Sequence, residues 1–275
     1  MHTATRLAIE VFKSVRTLNP DAHYCFYGLY APMNEHFLRK EGAHSIIGGE
    51  FEAPLAALVG RLSEGSAPRR HETVVSLGRQ RFVVPDRTGL PALEDYAHLH
   101  VGPGEVRKVG YTESTRGCKH LCSHCPVVPV YGGRFRVVAK DVVLGDIAQQ
   151  VEAGAQHITF GDPDFFNAPG HARAVIESVH DRWADLTYDV TIKIEHLLKQ
   201  AHLVPRLKDT GCLFVTSAVE SVDERILAIF DKNHSGADFG RAAALCKGAG
   251  LTLNPTFVAF TPWTTLEGYL DLLGA

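Results

Sequence analysis

At 275 residues the chain is long enough for one large domain or two ordinary ones, with ample core. A hydrophobic content of 45% and a charged content of 21% describe a soluble globular protein, and a formal net charge of −3 supplies no electrostatic footprint for nucleic acid. No apolar run approaches the roughly 20 residues of a membrane span. Nothing behind Met1-His2-Thr3 reads as a secretory segment, and the scattered Cys25, Cys212 and Cys246 read as buried thiols, which together point to a reducing cytoplasm.

In chain order, residues 3–18 place Leu7, Val11, Val15 and Leu18 on one helical stripe, and Asn19-Pro20-Asp21 stops that helix. A short strand is predicted over 23–29, a helix over 32–40, a strand at 45–47 running into Gly48-Gly49-Glu50, and a helix over 53–62. Strands alternating with helices argue for an open parallel α/β sheet. Residues 66–104 read as a connector: a Ser/Gly/Pro linker, then a hairpin pairing 72–77 with 81–84, then the turn-rich Pro85 to Pro91. From residue 105 strands are predicted at 106–112, 157–160, 188–194, 212–217 and 251–258, with helices between them and one more from 265.

The chemistry concentrates in Gly117-Cys118-Lys119-His120-Leu121-Cys122-Ser123-His124-Cys125-Pro126. Three thiols at C-x3-C-x2-C suit an iron–sulfur cluster, because thiolates are soft ligands and close spacing wraps them around one cubane. The alternative is a zinc site with His120 or His124 as fourth ligand. Paired C-x2-C hooks far apart, the commoner zinc pattern, are missing.

This spacing resembles the signature of the radical S-adenosylmethionine (SAM) superfamily. The resemblance implies a partial (β/α) barrel over 105–275, a 4Fe-4S cluster on Cys118, Cys122 and Cys125, and SAM chelating the fourth iron. The residue before the third cysteine, usually aromatic, is His124 here. The implied activity is reductive cleavage of SAM to a 5′-deoxyadenosyl radical acting on a small-molecule or peptide substrate. A reducing partner such as a flavodoxin or ferredoxin goes with it.

Ligands of such barrels gather past the strand ends. The resemblance therefore assigns SAM contacts to Gly161, Asp162 and Asp164 after the second core strand, to Ser217 and Glu220 after the fourth, and to Val258 after the fifth. Asp164 or Asn167 as a helix cap is the structural alternative. In Thr191 to His196, alternation places Thr191, Lys193 and Glu195 on one face, as a structural pair or a ligand contact.

Residues 1–65 resemble the second half of a Rossmann-like, cobalamin-binding-type domain, through the Gly-Gly-Glu-Phe-Glu run at 48–52. No D-x-H-x-x-G loop supports cobalamin, and Gly48-Gly49 reads better as a tight strand-to-helix turn. Arg116 to Tyr131, Gly161 to Asn167 and Phe257 to Gly268 carry a resemblance to the group with a CUAEP or CCAEP tail. Five core strands, where the family has six, make the chain read as truncated at both ends. A non-catalytic iron–sulfur remnant is accordingly an alternative, and a zinc-binding interaction module a weaker one.

Overall fold

The computed structural model describes residues 3–65 and 73–274, so part of the expected linker, residues 66–72, lies outside the described residues. The chain divides into two compact units, one of residues 1–81 and 124–133, the other of 82–123 and 134–275.

In the first unit, α1 (Thr3–Leu18), β1 (Cys25–Tyr27), α2 (Tyr30–Met33), α3 (Glu35–Glu41), β2 (Ser45–Gly49), α4 (Glu52–Ser63) and β3 (Val75–Ser76) alternate. The three strands form a parallel sheet in the order β1-β2-β3, the open α/β arrangement expected. Its core gathers Ile9, Ala31, Leu38, Ala43 and Ile46. The apolar stripe of α1 is not the face that packs. Leu7 and Val11 are exposed, while Ile9 and Phe12 are buried, because Phe12 sets its ring edge-on to Tyr24 and Phe26 at 5.0 and 5.4 Å.

The expected hairpin around Gly78 does not form. Val75–Ser76 instead adds in parallel to β2, with Gly48 N–H donating to Val74 O at 2.7 Å and Glu50 N–H to Ser76 O at 2.7 Å. Parallel addition satisfies the backbone of β2 on its second edge, which a local hairpin would leave open. This also explains the two glycines. A Cβ on Gly48 would lie 2.1 Å from the Pro32 ring, and Gly49, at φ +74°, would put one 2.2 Å from Ser76 O.

The second unit is built on a six-stranded sheet. Its strands are β4 (His98–Gly102), β5 (Glu105–Thr112), β8 (His157–Phe160), β9 (Thr187–Thr191), β10 (Cys212–Glu220) and β11 (Thr252–Phe257), in spatial order β11-β10-β9-β8-β5-β4. The small ribbon β6 (Thr115–Gly117) with β7 (Phe135–Val137) flanks it. The five strands from β5 to β11 run parallel, and β4 pairs antiparallel to β5.

Helices α6 (Lys140–Glu152), α7 (Pro169–Arg182), α8 (Ile194–Lys199), α9 (Val204–Asp209), α10 (Glu224–Ile229), α11 (Gly236–Gly248) and α12 (Leu266–Gly274) connect or follow these strands; the short α5 (Val128–Tyr131) belongs to the first unit. One face of the sheet is apolar: Ile158, Phe160, Tyr188, Val190, Val215 and Val219 join Val143, Ile147, Val175, Ile176 and Ala242 of the helices in one core. Burying such a face is the main force that closes a helix-covered parallel sheet. Two boundaries differ from expectation. β9 stops at Thr191, and the helix expected between the third and fourth core strands is two short helices joined by a 3-10 turn at Ala201–Leu203.

Candidate active site at the C-terminal edge of the sheet

The cysteine segment follows β5 and β6. Cys122 is buried, Cys118 and Cys125 are half-buried, and none of the six cysteines is in a disulfide. Asn167 clasps the start of the segment. Its amide donates to Gly117 O at 3.3 Å, and its Oδ1 accepts from Lys119 N–H at 3.3 Å with Cys118 Sγ at 3.7 Å. Further along, Ser123 donates through N–H to Phe230 O at 3.1 Å and through Oγ to Ile229 O at 2.6 Å. The three thiols fit an iron–sulfur cluster by chemistry. Cys212 and Cys246 do not compete: burial pushes the Cys246 thiol up to about 11 and the Cys212 thiol higher still.

Asp162 and Asp164, expected side by side on SAM, do separate jobs. Asp162 is 2% exposed and accepts from Ser114 N–H (2.9 Å), Ser114 Oγ (2.7 Å) and Thr115 Oγ1 (2.6 Å). It ties the end of β8 to the turn before the cysteines. Burial pushes its carboxyl up to about 6, against the pull of those three donors. A folded-state value above the unfolded one near 3.9 means the folded chain holds the extra proton. Stability from this group is therefore full below about pH 4 and lost as pH rises through about 6. The stability difference between wild type and Asp162→Asn should fall by roughly 2 kcal/mol between pH 4 and 7. Urea unfolding across that range checks it, and a flat difference contradicts it.

Asp164 is also 2% exposed and sits in a charged cluster beside the cysteine segment. Its Oδ1 accepts from Phe166 N–H at 3.1 Å, the cap that was the structural alternative. Its Oδ2 lies 2.6 Å from His196 Nδ1 and 3.5 Å from His120 Nε2. The two imidazoles meet at 3.2 Å between Nε2 atoms, and Lys193 Nζ reaches His120 Nδ1 at 3.2 Å. Lys193 donates to His120 and His120 to His196; His196 Nδ1 faces Asp164 Oδ2 as a close ion-pair contact without hydrogen-bond geometry. Burial works to raise the Asp164 carboxyl, but the two imidazoles beside it outweigh burial and hold it below the usual range. Lys193 and Glu195 do pair, at 3.4 Å, though not as alternate residues of a strand. Lys193 is the residue before α8 and Glu195 lies in its first turn.

The remaining expected contacts scatter. Glu220 has φ 69°, a strained backbone for a residue with a side chain, and its carboxylate lies 3.4 Å from the buried Lys232 ammonium. Asp231 and Asn233, on either side of Lys232, also have positive φ. Val258 joins Glu220 through its N–H, which donates to Glu220 O at 2.8 Å. Ser217 lies with Val215 and Val219 on the helix-packed face of β10, fully buried, and its Oγ has no hydrogen-bond partner among the described residues. Gly161 has room for no side chain, because a Cβ there would lie 1.8 Å from the Tyr111 hydroxyl.

Asn167, His196 and Lys232 were not among the expected ligand contacts. Asn167 and His196 stood next to quoted motifs, but only the folded chain brings them to the cysteine segment. Cys118, His120 and Asp164 offer ligand atoms within 4.8 Å of one another, a grouping that also suits zinc. Both nitrogens of His120 already have partners, which weighs against it.

Residues 112–269, more than half of the chain, match the Radical SAM superfamily, and the protein belongs to that family. It is 27% identical over 220 residues to the bacteriochlorophyllide d C-8(2)-methyltransferase of Chlorobaculum tepidum, across 71% of this chain and 46% of that one. Its fold is similar to that of TsrM, a radical SAM methyltransferase from Kitasatospora setae solved with tryptophan and a SAM analogue. The TM-score is 0.76 at 19% identity, over 97% of this chain and 55% of that one. It is also similar to OxsB, a cobalamin-dependent radical SAM enzyme solved with aqua-cobalamin and SAM. There the TM-score is 0.70 at 14% identity, over 98% of this chain and 41% of that one. The chain thus spans about half, or less, of the length of the relatives it matches.

Proposed function

We propose that the chain is the SAM-cleaving part of a radical SAM enzyme, held on Cys118, Cys122 and Cys125. The observation that supports this is the three-thiol spacing of residues 118–125, whose Cys118 end follows β5 and β6 and is tied to Asn167 beyond β8, within a family match that spans the segment and the sheet. When bound, the cluster supplies one electron that splits the SAM sulfonium into methionine and a 5′-deoxyadenosyl radical. The protein binds, orients and excludes water. Asn167 and Ser123 fix the cysteine segment, Asp164 with His120 and His196 holds its flank, and Glu220 with Val258 offers polar groups past β10.

The named likeness to methyltransferases makes methyl transfer the first reaction to look for. Gly48 and Gly49 are explained by Pro32 and Ser76 and call for no cobalamin. Among the described residues no helix is long and apolar enough to cross a membrane. Three thiols kept for a cluster and three more outside any disulfide suit a cytoplasmic enzyme served by a flavodoxin or ferredoxin. Metal analysis after anaerobic purification tests the reading: iron with acid-labile sulfide supports it, and stoichiometric zinc overturns it.

A further inference from the structure

The face of the large sheet that turns away from the helices is polar, and the strand register lays it out in rows. Tyr111 pairs with Thr159, Thr159 with Asp189, and Asp189 with Phe214. One row nearer the C-terminal edge, Thr191 pairs with Thr216 and Thr216 with Asn254, whose amide reaches the Thr216 hydroxyl at 3.4 Å. One row below, His157 pairs with Val109 and Thr187. The neighbouring residues Ile158, Tyr188, Val190 and Val215 belong to the apolar core, so alternation puts these polar side chains on the opposite, lumen face. Barrel interiors closed by packing alone favour branched aliphatic residues. A lumen of threonines, an asparagine and a carboxylate is one kept for a ligand.

Asp189 is its centre. It is 7% exposed, and its Oδ1 accepts from Thr159 Oγ1 at 2.6 Å and lies 2.9 Å from His157 Nε2. No described residue donates to Oδ2. His157 is immobilised for this purpose: Nδ1 lies 2.8 Å from Thr187 Oγ1, and the ring stacks on Phe214 with 6.2 Å between centroids. Both imidazole nitrogens are engaged, so His157 is a positioning residue and Asp189 presents the open acceptor. A carboxylate this buried, with one oxygen saturated and one open, is best completed by a charged donor.

We propose that Asp189 is a specificity-determining residue and that the lumen takes a polar small molecule carrying a protonated amine, seated on Asp189 Oδ2. Thr159, Thr191 and Thr216 supply neutral hydrogen bonds around it, and the rings of Tyr111 and Phe214 bound its row. The inference rests on the proposed radical chemistry for its meaning, since the amine would hold the substrate below the strand ends where the radical forms.

The test uses the cluster-loaded full chain and three matched probe pairs: phenethylamine with phenethyl alcohol, butylamine with butanol, and glycinamide with glycolamide. Ligand-observed NMR titrations give their dissociation constants. Each amine should bind roughly tenfold more tightly than its neutral partner. The preference should vanish in Asp189→Asn, which keeps the shape and the Thr159 hydrogen bond. Thr191→Lys, which places an ammonium in the next row without touching the buried pair, should also abolish it. Equal binding of amine and alcohol, or a preference that survives in both variants, overturns the proposal. Deoxyadenosine formation assayed on the same samples separates the two readings. If it is intact while no amine preference is found, the lumen assignment alone fails; if the preference is present without deoxyadenosine, the radical chemistry fails.

Discussion

Cys122→Ala is expected to leave a folded chain that has lost its iron. Cys122 is 7% exposed, and alanine fits its space without overpacking, so the sheet and helices should survive. Two thiols do not hold a cubane that three do, and site affinity should drop by at least ~100-fold. The same loss is expected for Cys118→Ala and Cys125→Ala. Cys212→Ala and Cys246→Ala should keep wild-type iron, because those thiols are buried elsewhere and held protonated. Iron and sulfide per chain after anaerobic reconstitution, with far-ultraviolet circular dichroism as the folding control, read all five variants. Equal iron in Cys122→Ala and wild type would remove the cysteine segment from the account.

Asp164→Ala should be the most damaging change outside the cysteines. It deletes the anion beside His120 and His196 and leaves the two imidazoles and Lys193 with only the Glu195 carboxylate to balance them. Breaking one side of such a buried pairing costs about 3–5 kcal/mol. Asp164→Asn keeps a polar oxygen for His196 to face and should cost less. The pH dependence has a definite sign. Because the folded carboxyl lies below its unfolded value, Asp164 stabilises the chain above about pH 4 and loses that contribution as pH falls through its folded value. Urea unfolding of both variants checks the order. The loss should also appear as weaker iron retention, since the cluster borders the cysteine segment. An Asp164→Ala chain as stable as wild type would show that the network is decoration.

Much of this was legible in the sequence, for reasons that differ by element. β8 was readable to the residue because its four residues alternate polar and apolar, His157-Ile158-Thr159-Phe160, and are closed by Gly161-Asp162-Pro163. The cysteine segment was readable because its chemistry is local. The hairpin at 72–84 was misread because parallel addition to β2 depends on a strand almost 30 residues away, which no local turn signal records. The stripe on α1 misled because that helix is apolar on two sides, and only the rings of Tyr24 and Phe26 decide which one is buried.

At the site, sequence order gave the strand ends but not the facing of each side chain. Asp162 turned back to Ser114 and Thr115, and Ser217 went to the helix side with Val215 and Val219. The His157–Asp189 pair was invisible, because it joins two strands across a register that only the folded sheet defines.

The central claim is reductive cleavage of SAM on this cysteine segment, and the most direct measurement is the product itself. The reconstituted chain is reduced anaerobically with SAM present, and 5′-deoxyadenosine and methionine are counted by mass spectrometry beside Cys122→Ala. The account predicts the two products in equal amounts from wild type and neither above background from the variant. A loaded, reduced wild-type cluster that forms no deoxyadenosine would contradict it.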